Sequence, residues 1–177
     1  MRTLPDLLRP GLDLVFVGIN PGEESARRGH YYAHPGNGFW PALSGSGLVS
    51  RAVTCEDDRA LAEAGIGFTD VVKRVVTDST QIQDTELRDS LAAFRARIGY
   101  ARPRVVCFTS ARAFDTCFPG VRAAKAWGRQ AASIPLPGDG AAEVWVMPST
   151  SGLAAGLRPQ MRAVLADLAA ALRQVAA

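Results

Sequence analysis

The chain has 177 residues, of which 47% are hydrophobic, and carries a formal net charge of +3 at pH 7. This length fits one domain, covering residues 1–177, with an apolar core of its own. The apolar run from Leu12 to Ile19 is too short to cross a membrane and contains Asp13, so we expect a cytoplasmic protein. The mild positive charge allows an anionic partner but does not require one.

The residue types that bind metals are sparse. Cys55, Cys107 and Cys117 are an odd number and form no CxxC pair, which argues against a disulfide framework, a zinc site or a four-cysteine iron–sulfur cluster. His30 and His34 are four residues apart, but a proline follows and makes a helix there improbable. P-loop, GxGxxG and GxSxG motifs are also absent from the sequence. We therefore expect no metal and no organic cofactor.

The first half of the chain begins with a strand. The near-continuous apolar run over 12–19 predicts a strand buried on both faces of a parallel sheet, and the turn Asn20-Pro21-Gly22 ends it. A polar loop without helical periodicity follows over 24–38, and long loops of this kind often carry functional residues. Helices are predicted over 39–45 and, from a capping box at Thr54, to about residue 65.

The second half alternates helices and strands. After the glycine-containing segment 65–68, Thr69 or Asp70 is interpreted as a possible cap of a short helix. The clearest helix covers 84–99, where Gly99 is expected to stop it. Further strands are predicted at 104–109, 131–134 and 143–147, and a last helix from about Pro159.

This alternation predicts an α/β fold, a three-layer α/β/α sandwich around a central, mostly parallel sheet of about four strands. In such sheets, ligands bind beyond the carboxyl ends of the strands. The loop GINPG (18–22) follows the first strand, and MPSTSGLAAG (147–156) follows the last. Both loops should open onto the same edge of the sheet, and we expect the functional site there.

Four segments occur in a specific order: GINPG at 18–22, AHPGNGFW at 33–40, AWGRQ at 126–130 and MPSTSGL at 147–153. Together they resemble the mismatch-specific uracil/thymine DNA glycosylases of the uracil-DNA glycosylase superfamily, over nearly the whole chain. The resemblance implies a monofunctional DNA-repair enzyme that flips uracil, above all from a G·U pair, out of duplex DNA. It would hydrolyse the N-glycosidic bond, leave an abasic site and act as a monomer without a cofactor.

Two residues are candidates for placing or activating the attacking water. By the resemblance, Asn20 would hold the water through its side-chain oxygen, although an amide is not a useful base, so a slow enzyme is expected. Many relatives outside this branch have aspartate at that position. Asp70 is the second candidate, because a carboxylate could activate water better than an amide can. The alternatives are that Asn20 only turns the chain and that Asp70 only caps a helix.

The resemblance also implies a base pocket. The backbone of Gly18 and Ile19 would meet the uracil edge, Tyr32 would stack on the base, and Ser25 would lie in the same pocket. Tyr31 competes with Tyr32 for the stacking role through a shift of one residue. Ile19 could equally be a core residue, and Ser25 a solvated loop serine.

The second loop would contact DNA. Leu153 resembles the wedge that fills the gap left by the flipped base, while Gly152 and Ala154 would offer backbone groups to the unpaired guanine. The sequence departs from the family at Ala155, where a basic residue is frequent, and Arg158 could supply that charge. Candidates for phosphate contacts are Arg158 and Arg162, with Arg27, Arg28, Lys125 and Arg129 as further options.

Two other functions fit the same sheet edge. A small α/β nucleoside-processing hydrolase would act on free nucleosides and show no salt-dependent affinity for DNA. A non-catalytic mismatch-binding protein would bind distorted duplexes without releasing a base. An intact GINPG turn with Asn20 argues against the second of these.

Overall fold

The computed structural model describes residues 2–124 and 126–176, with 174–176 as helix backbone only. Within these ranges one sheet has the strand order β2-β1-β3-β5-β4. Strands β1, β2, β3 and β5 are parallel, and β4 pairs antiparallel with β5 at one edge. The strands are β1 Leu14–Gly18, β2 Ile66–Asp70, β3 Val105–Phe108, β4 Gly128–Pro135 and β5 Ala141–Val146.

The part of the chain that the structure describes contains six α-helices. As the sequence predicts, Thr54 forms a capping box, and its partner is Asp57. The Ser110 side chain caps the helix that follows β3. Short 3₁₀ helices lie at Cys55–Asp57, Ser79–Gln81 and Gly152–Leu157. The α-helices are α1 Glu23–Arg28, α2 Phe39–Ser44, α3 Asp58–Ala64, α4 Asp84–Ala101, α5 Ala111–Cys117 and α6 Arg158–Ala176.

Side chains of β1 alternate between two apolar cores, one on each face of the sheet. Phe16 lies in the core covered by α2 and α6, where it contacts Phe39 edge-on at 5.0 Å between ring centroids. Val17 lies in the opposite core, which α4 and α5 cover with Phe94 and Phe114. The predicted three-layer α/β/α arrangement is therefore confirmed, and its buried side chains each contribute roughly 1.5–3 kcal/mol.

The sheet has five strands rather than about four, because residues 66–70 form β2. The alternative prediction of a helix cap at Asp70 is wrong, since Asp70 ends β2 as the register partner of Gly18 and no helix begins at Val71. The strand was difficult to predict from the sequence because Gly67 lies in its interior, where glycine is unfavourable. A side chain there would contact the Leu7 carbonyl, so the glycine reflects a close approach of the N-terminal segment.

Two other boundaries differ from the predictions. Helix α1 occupies the first part of the predicted polar loop over 24–38 and ends at Gly29, which takes the left-handed conformation with φ 75°. Helix α4 continues past Gly99 and ends at Arg102, which takes φ 46° just before a proline. The end of α1 thus has the glycine that the sequence rules look for, whereas α4 ends at an arginine in the same left-handed region.

The loops that follow β1 and β5 lie at the same edge of the sheet, as the sequence predicts. Strands β1, β3 and β5 run parallel, so the loops that follow each of them leave the sheet on the same side. Among the described residues, no helix is both long and apolar enough to span a bilayer.

Candidate active site

The turn after β1 lies against the segment that follows β2. The N–H groups of Val71 and Val72 donate hydrogen bonds to the carbonyl oxygens of Gly18 and Ile19, at 2.9 and 2.8 Å. Each of these carbonyl groups keeps one lone pair for a ligand. The turn that was expected to meet a uracil edge is thus held rigid by its neighbour in the sheet.

The side chain of Asn20 is fixed by the same segment. Its Nδ2 donates to the carbonyl oxygens of Val76 at 2.7 Å and Pro21 at 3.0 Å. Because both partners can only accept, the nitrogen of the amide must face them. Oδ1 therefore lies on the other arm of the amide, as an acceptor that a water molecule could use.

Asp70 lies beside this turn, at the end of β2. Its side chain is only 4% exposed, and Oδ2 has no hydrogen-bond partner. Burial raises the pKa of the Asp70 carboxyl to about 7, and the nearby Asp6 carboxylate adds to the rise. A buried carboxyl that changes charge near neutral pH at a sheet edge is a candidate general base.

Tyr32 presents an aromatic ring at the same edge. The backbone takes φ 52°, and the ring stacks on Phe39 with centroids 4.2 Å apart. Its hydroxyl lies 3.1 Å from Thr109 Oγ1, which in turn lies 3.2 Å from the Val17 carbonyl oxygen. Since that carbonyl can only accept, Thr109 donates to it and Tyr32 donates to Thr109. The ring is locked, and the face that stacks on Phe39 is closed to a base.

Tyr31, the competing candidate for stacking, is turned into the core. It is 2% exposed, and its hydroxyl donates to the Pro5 carbonyl oxygen at 2.8 Å. Its N–H donates to the buried carboxylate of Asp58 at 3.0 Å. Ser25 is also buried, and its Oγ accepts from Ala33 N at 3.1 Å. Ser25 therefore braces the segment that carries Tyr32.

Leu153 lies at the tip of the 3₁₀ helix after β5, with its side chain fully exposed, at 102% of the reference area. Ser151 orders this tip, because its Oγ accepts from Leu153 N at 3.2 Å and its carbonyl accepts from Ala154 N at 3.0 Å. The N–H of Ala154 is thus already used. In this conformation, a contact from Ala154 to an unpaired base would come from its carbonyl group.

The loop after β5 packs against the segment between α1 and α2, at the end of the sheet where the loop after β1 also leaves it. Gly38 N donates to the Thr150 carbonyl oxygen at 2.8 Å, and Arg158 Nη2 donates to the Gly36 carbonyl oxygen at 3.3 Å. A side chain at Gly152 would lie 3.4 Å from that same Gly36 oxygen. The structure therefore brings the loop with Leu153 to the sheet edge where the turn after β1 lies.

The basic side chains that are candidates for phosphate contacts differ in their exposure and in the contacts that they already make. Arg162 is exposed, whereas Arg158 is half-buried against Gly36 and Gly38. The Arg28 guanidinium donates to a backbone carbonyl. Lys125 lies outside the described residues. Two other candidates form ion pairs, Arg27 with Glu24 at 2.7 Å and Arg129 with Glu143 at 3.0 Å.

Comparison with known proteins gives the family. The model of the uracil DNA glycosylase superfamily matches residues 5–172. The chain belongs to this superfamily. Membership in the uracil DNA glycosylase superfamily implies a DNA substrate and places the chain among DNA-repair glycosylases.

A solved structure gives the same fold. It is a solution NMR structure from Methanosarcina acetivorans, described provisionally as a uracil DNA glycosylase. The match has a TM-score of 0.58 at 22% identity and covers 94% of this chain and 97% of that one. At this identity the likeness concerns the uracil DNA glycosylase fold.

Sequence reasoning missed Thr109, which holds the Tyr32 hydroxyl in this glycosylase-like site. A usable signal was present, since Thr109 is the last residue of a predicted strand and such positions lie at the ligand-binding edge. It also missed the contacts that Asp6 and Arg97 make around Asp70. No local pattern could have revealed these, because the residues are far apart in the sequence.

Proposed function

We propose that the protein is a monofunctional uracil-DNA glycosylase that prefers mismatched uracil, above all in G·U pairs. The observation that carries the proposal is Asp70, a buried carboxylate with an unpaired oxygen directly beside the turn that bears Asn20. Superfamily membership supports base removal from DNA. The exposed Leu153, on the neighbouring loop, supports a substrate that is a duplex.

Cleavage of the bond between C1′ of deoxyribose and N1 of uracil sends the bonding electron pair to the base. The sugar becomes oxocarbenium-like, and the base leaves as an anion that donors in the pocket stabilise. Backbone N–H groups of the turn at Gly18 and Ile19 are the expected donors. Tyr32 would stack on the flipped base through the ring face opposite Phe39, which contributes about 1–3 kcal/mol.

A water molecule then adds to C1′ and loses a proton. Asn20 Oδ1 would orient this water, and ionised Asp70 would accept the proton. The negative charge of Asp70 would also stabilise the cationic sugar. The two side chains thus divide the work, with the amide positioning the water and the carboxylate supplying the basicity that an amide lacks.

The preference for mismatched pairs rests on the loop after β5. Leu153 would fill the gap left by the base, and backbone groups of Gly152 and Ala154 would meet the unpaired guanine. Arg158 and Arg162 would contact phosphates near the start of α6. Binding through such contacts weakens steeply as salt concentration rises.

One assay separates this proposal from its alternatives. The protein is incubated with duplexes holding G·U or A·U pairs, with single-stranded uracil DNA and with free deoxyuridine, and base release is scored as alkali-labile sites or free uracil. We expect fastest release from the G·U duplex. Release only from deoxyuridine would favour a nucleoside hydrolase, and mismatch binding without any release would favour a non-catalytic binder.

Variants assign the roles. Asn20→Ala and Asp70→Ala are each expected to slow base release under single-turnover conditions, with the larger loss at Asp70. An Asp70→Ala variant as active as the unaltered protein would remove the proposed proton acceptor. Thermal unfolding of each variant serves as the control for folding.

A further inference from the structure

The N-terminal segment pairs with the middle of β2. Leu7 and Phe68 exchange two backbone hydrogen bonds, at 2.9 and 3.0 Å, in an isolated antiparallel bridge. This pairing places Asp6 next to the last residues of β2. The position of Asp6 is thus fixed by backbone hydrogen bonds.

The Asp6 carboxylate contacts side chains that come before and after Asp70 in the chain. Thr69 Oγ1 donates to Asp6 Oδ1 at 2.6 Å, and Lys73 Nζ donates to the same oxygen at 2.8 Å. Arg97 Nε, from α4, lies 3.2 Å from Asp6 Oδ2. All three charged side chains are about three-quarters buried, with 22–26% exposure. We refer to Asp6, Lys73 and Arg97 as the Asp6 cluster.

The Asp6 cluster also holds the backbone of Asp70. Arg97 Nη2 donates to the Asp70 carbonyl oxygen at 2.6 Å and contacts the Val71 carbonyl oxygen at 3.4 Å. The Asp6 carboxylate forms an ion pair with the guanidinium that makes these contacts, although Arg97 Nε makes no hydrogen bond. The end of β2 is therefore clamped from the side that faces away from Gly18.

We propose that the Asp6 cluster is a positioning site for Asp70, which holds this carboxylate at the sheet edge and sets the pH range in which the enzyme works. The inference rests on the proposed function, because it assigns Asp70 the role of proton acceptor. None of the three residues would touch the substrate. They act through Asp70 alone.

The charges in the Asp6 cluster act on Asp70 in opposite senses. The Lys73 and Arg97 cations lower the pKa of the Asp70 carboxyl, whereas the Asp6 carboxylate raises it. The other titratable groups near Asp70 are the hydroxyls of Tyr31 and Tyr32, whose pKa values burial raises, so they stay neutral. Removing a negative or a positive member of the cluster should therefore have opposite consequences.

The test compares Asp6→Asn with Lys73→Met in single-turnover base release from a G·U duplex as a function of pH. Asp6→Asn should move the acid limb of the profile to lower pH, and Lys73→Met should move it to higher pH, each by about half a pH unit or more. A purely structural disturbance would lower the rate in both variants without moving the limbs in opposite directions.

Arg97 separates charge from geometry. Arg97→Lys keeps the cation but loses the forked contact with Asp70 and Asp6, so it should slow base release while leaving the acid limb close to its original pH. Arg97→Met should slow base release and also move the acid limb of the pH profile to higher pH. Arg104→Met is the matched control. Arg104 pairs with Asp13 at 3.1 Å, and both residues lie at the amino ends of β1 and β3, away from Asp70.

Titration of the Asp70 side-chain carboxyl by carbon-13 NMR in the free protein provides a readout that needs no activity. Opposite displacements in Asp6→Asn and Lys73→Met are expected. Displacements in the same direction, or none, would overturn the inference even if the enzyme releases uracil. If the unaltered protein releases no base, the proposed function fails, and the titration still decides whether the cluster controls Asp70.

Discussion

Gly18 and Asp70 lie side by side as register partners at the ends of β1 and β2, with the Asp70 carboxylate packed over the Cα of Gly18. A Cβ atom at position 18 would collide with Asp70 Oδ1. The Asp70 carboxylate can therefore occupy its position only because residue 18 has no side chain. The turn that we propose to meet the base and the proposed proton acceptor therefore form one unit.

Gly18→Ala should reduce single-turnover uracil release by about 100-fold, because a displaced carboxylate no longer faces the water at the sugar. The matched control is Gly22→Ala in the same loop. Gly22 has φ −75° and no atom within 4 Å of a built Cβ, so that variant should stay active. Equal activity of the two variants would show that the position of Asp70 is not critical.

Asp70→Asn should stabilise the protein at alkaline pH while removing most of its activity. The pKa of Asp70 is about 7 in the folded protein and ordinarily 3.8. Folding therefore loses stability as pH rises between these values, because the unfolded chain ionises first. An uncharged side chain removes this cost, which is worth roughly 2–4 kcal/mol at about pH 8 and almost nothing at about pH 4. Urea unfolding at both pH values measures the difference.

Asp58→Asn is the contrasting variant. Asp58 is fully buried like Asp70, but its carboxylate accepts from Tyr31 N at 3.0 Å and lies 3.0 Å from His30 Nδ1. Loss of a paired buried acceptor should destabilise by about 1–3 kcal/mol. Destabilisation by both substitutions would mean that Asp70 also has a stabilising partner.

The pH dependence of activity follows from the same carboxyl. Asp70 can accept a proton only when ionised, so base release should fall tenfold per pH unit below about 7 and level off above it. The residual activity of Asp70→Asn, which depends on Asn20, should not change over this range. Single-turnover rates between about pH 5 and 9 test both statements, and an acid limb retained in the Asn variant would assign the titration to another group.

The sequence was sufficient for the features that depend on local patterns. The apolar run that ends at the turn of Asn20 and the loop with Leu153 predict two parallel strands whose ends share an edge, and the structure has this arrangement. Strand β2 was not predicted, because Gly67 and the polar residue Thr69 near its end resemble a turn. Its stability comes from pairing with β1 and from Leu7, which lies about sixty residues earlier in the chain.

The environment of Asp70 could not be read from the sequence for the same reason. Its neighbours Gly18, Asp6 and Arg97 come from three separate segments, and only the folded chain brings them together. A choice between helix cap and catalytic carboxylate requires knowing whether residue 70 ends a strand or begins a helix. Sequence propensity alone does not decide that when the strand is short and contains glycine.

Asn20→Asp should not improve the enzyme, although aspartate is common at this position elsewhere in the superfamily. The amide nitrogen of Asn20 donates to the Val76 and Pro21 carbonyl oxygens, and a carboxylate oxygen there would face two acceptors. We expect a loss of about 1–3 kcal/mol in unfolding free energy and no gain in base release. Asn20→Ala is the control, because it removes the donors without adding charge. A faster and equally stable Asp variant would contradict the anchoring role of the amide.

Leu153→Ala separates a DNA wedge from a core residue. The side chain is fully exposed, so its removal should change the unfolding free energy by less than about 0.5 kcal/mol. If Leu153 fills the gap left by the flipped base, release from a G·U duplex should slow by about tenfold or more, while release from single-stranded DNA should not change. Leu157→Ala, at the other end of the same 3₁₀ helix and 38% exposed, is the matched control. Equal slowing on duplex and single-stranded substrates would mean that Leu153 acts on the pocket and not on the helical stack of the DNA.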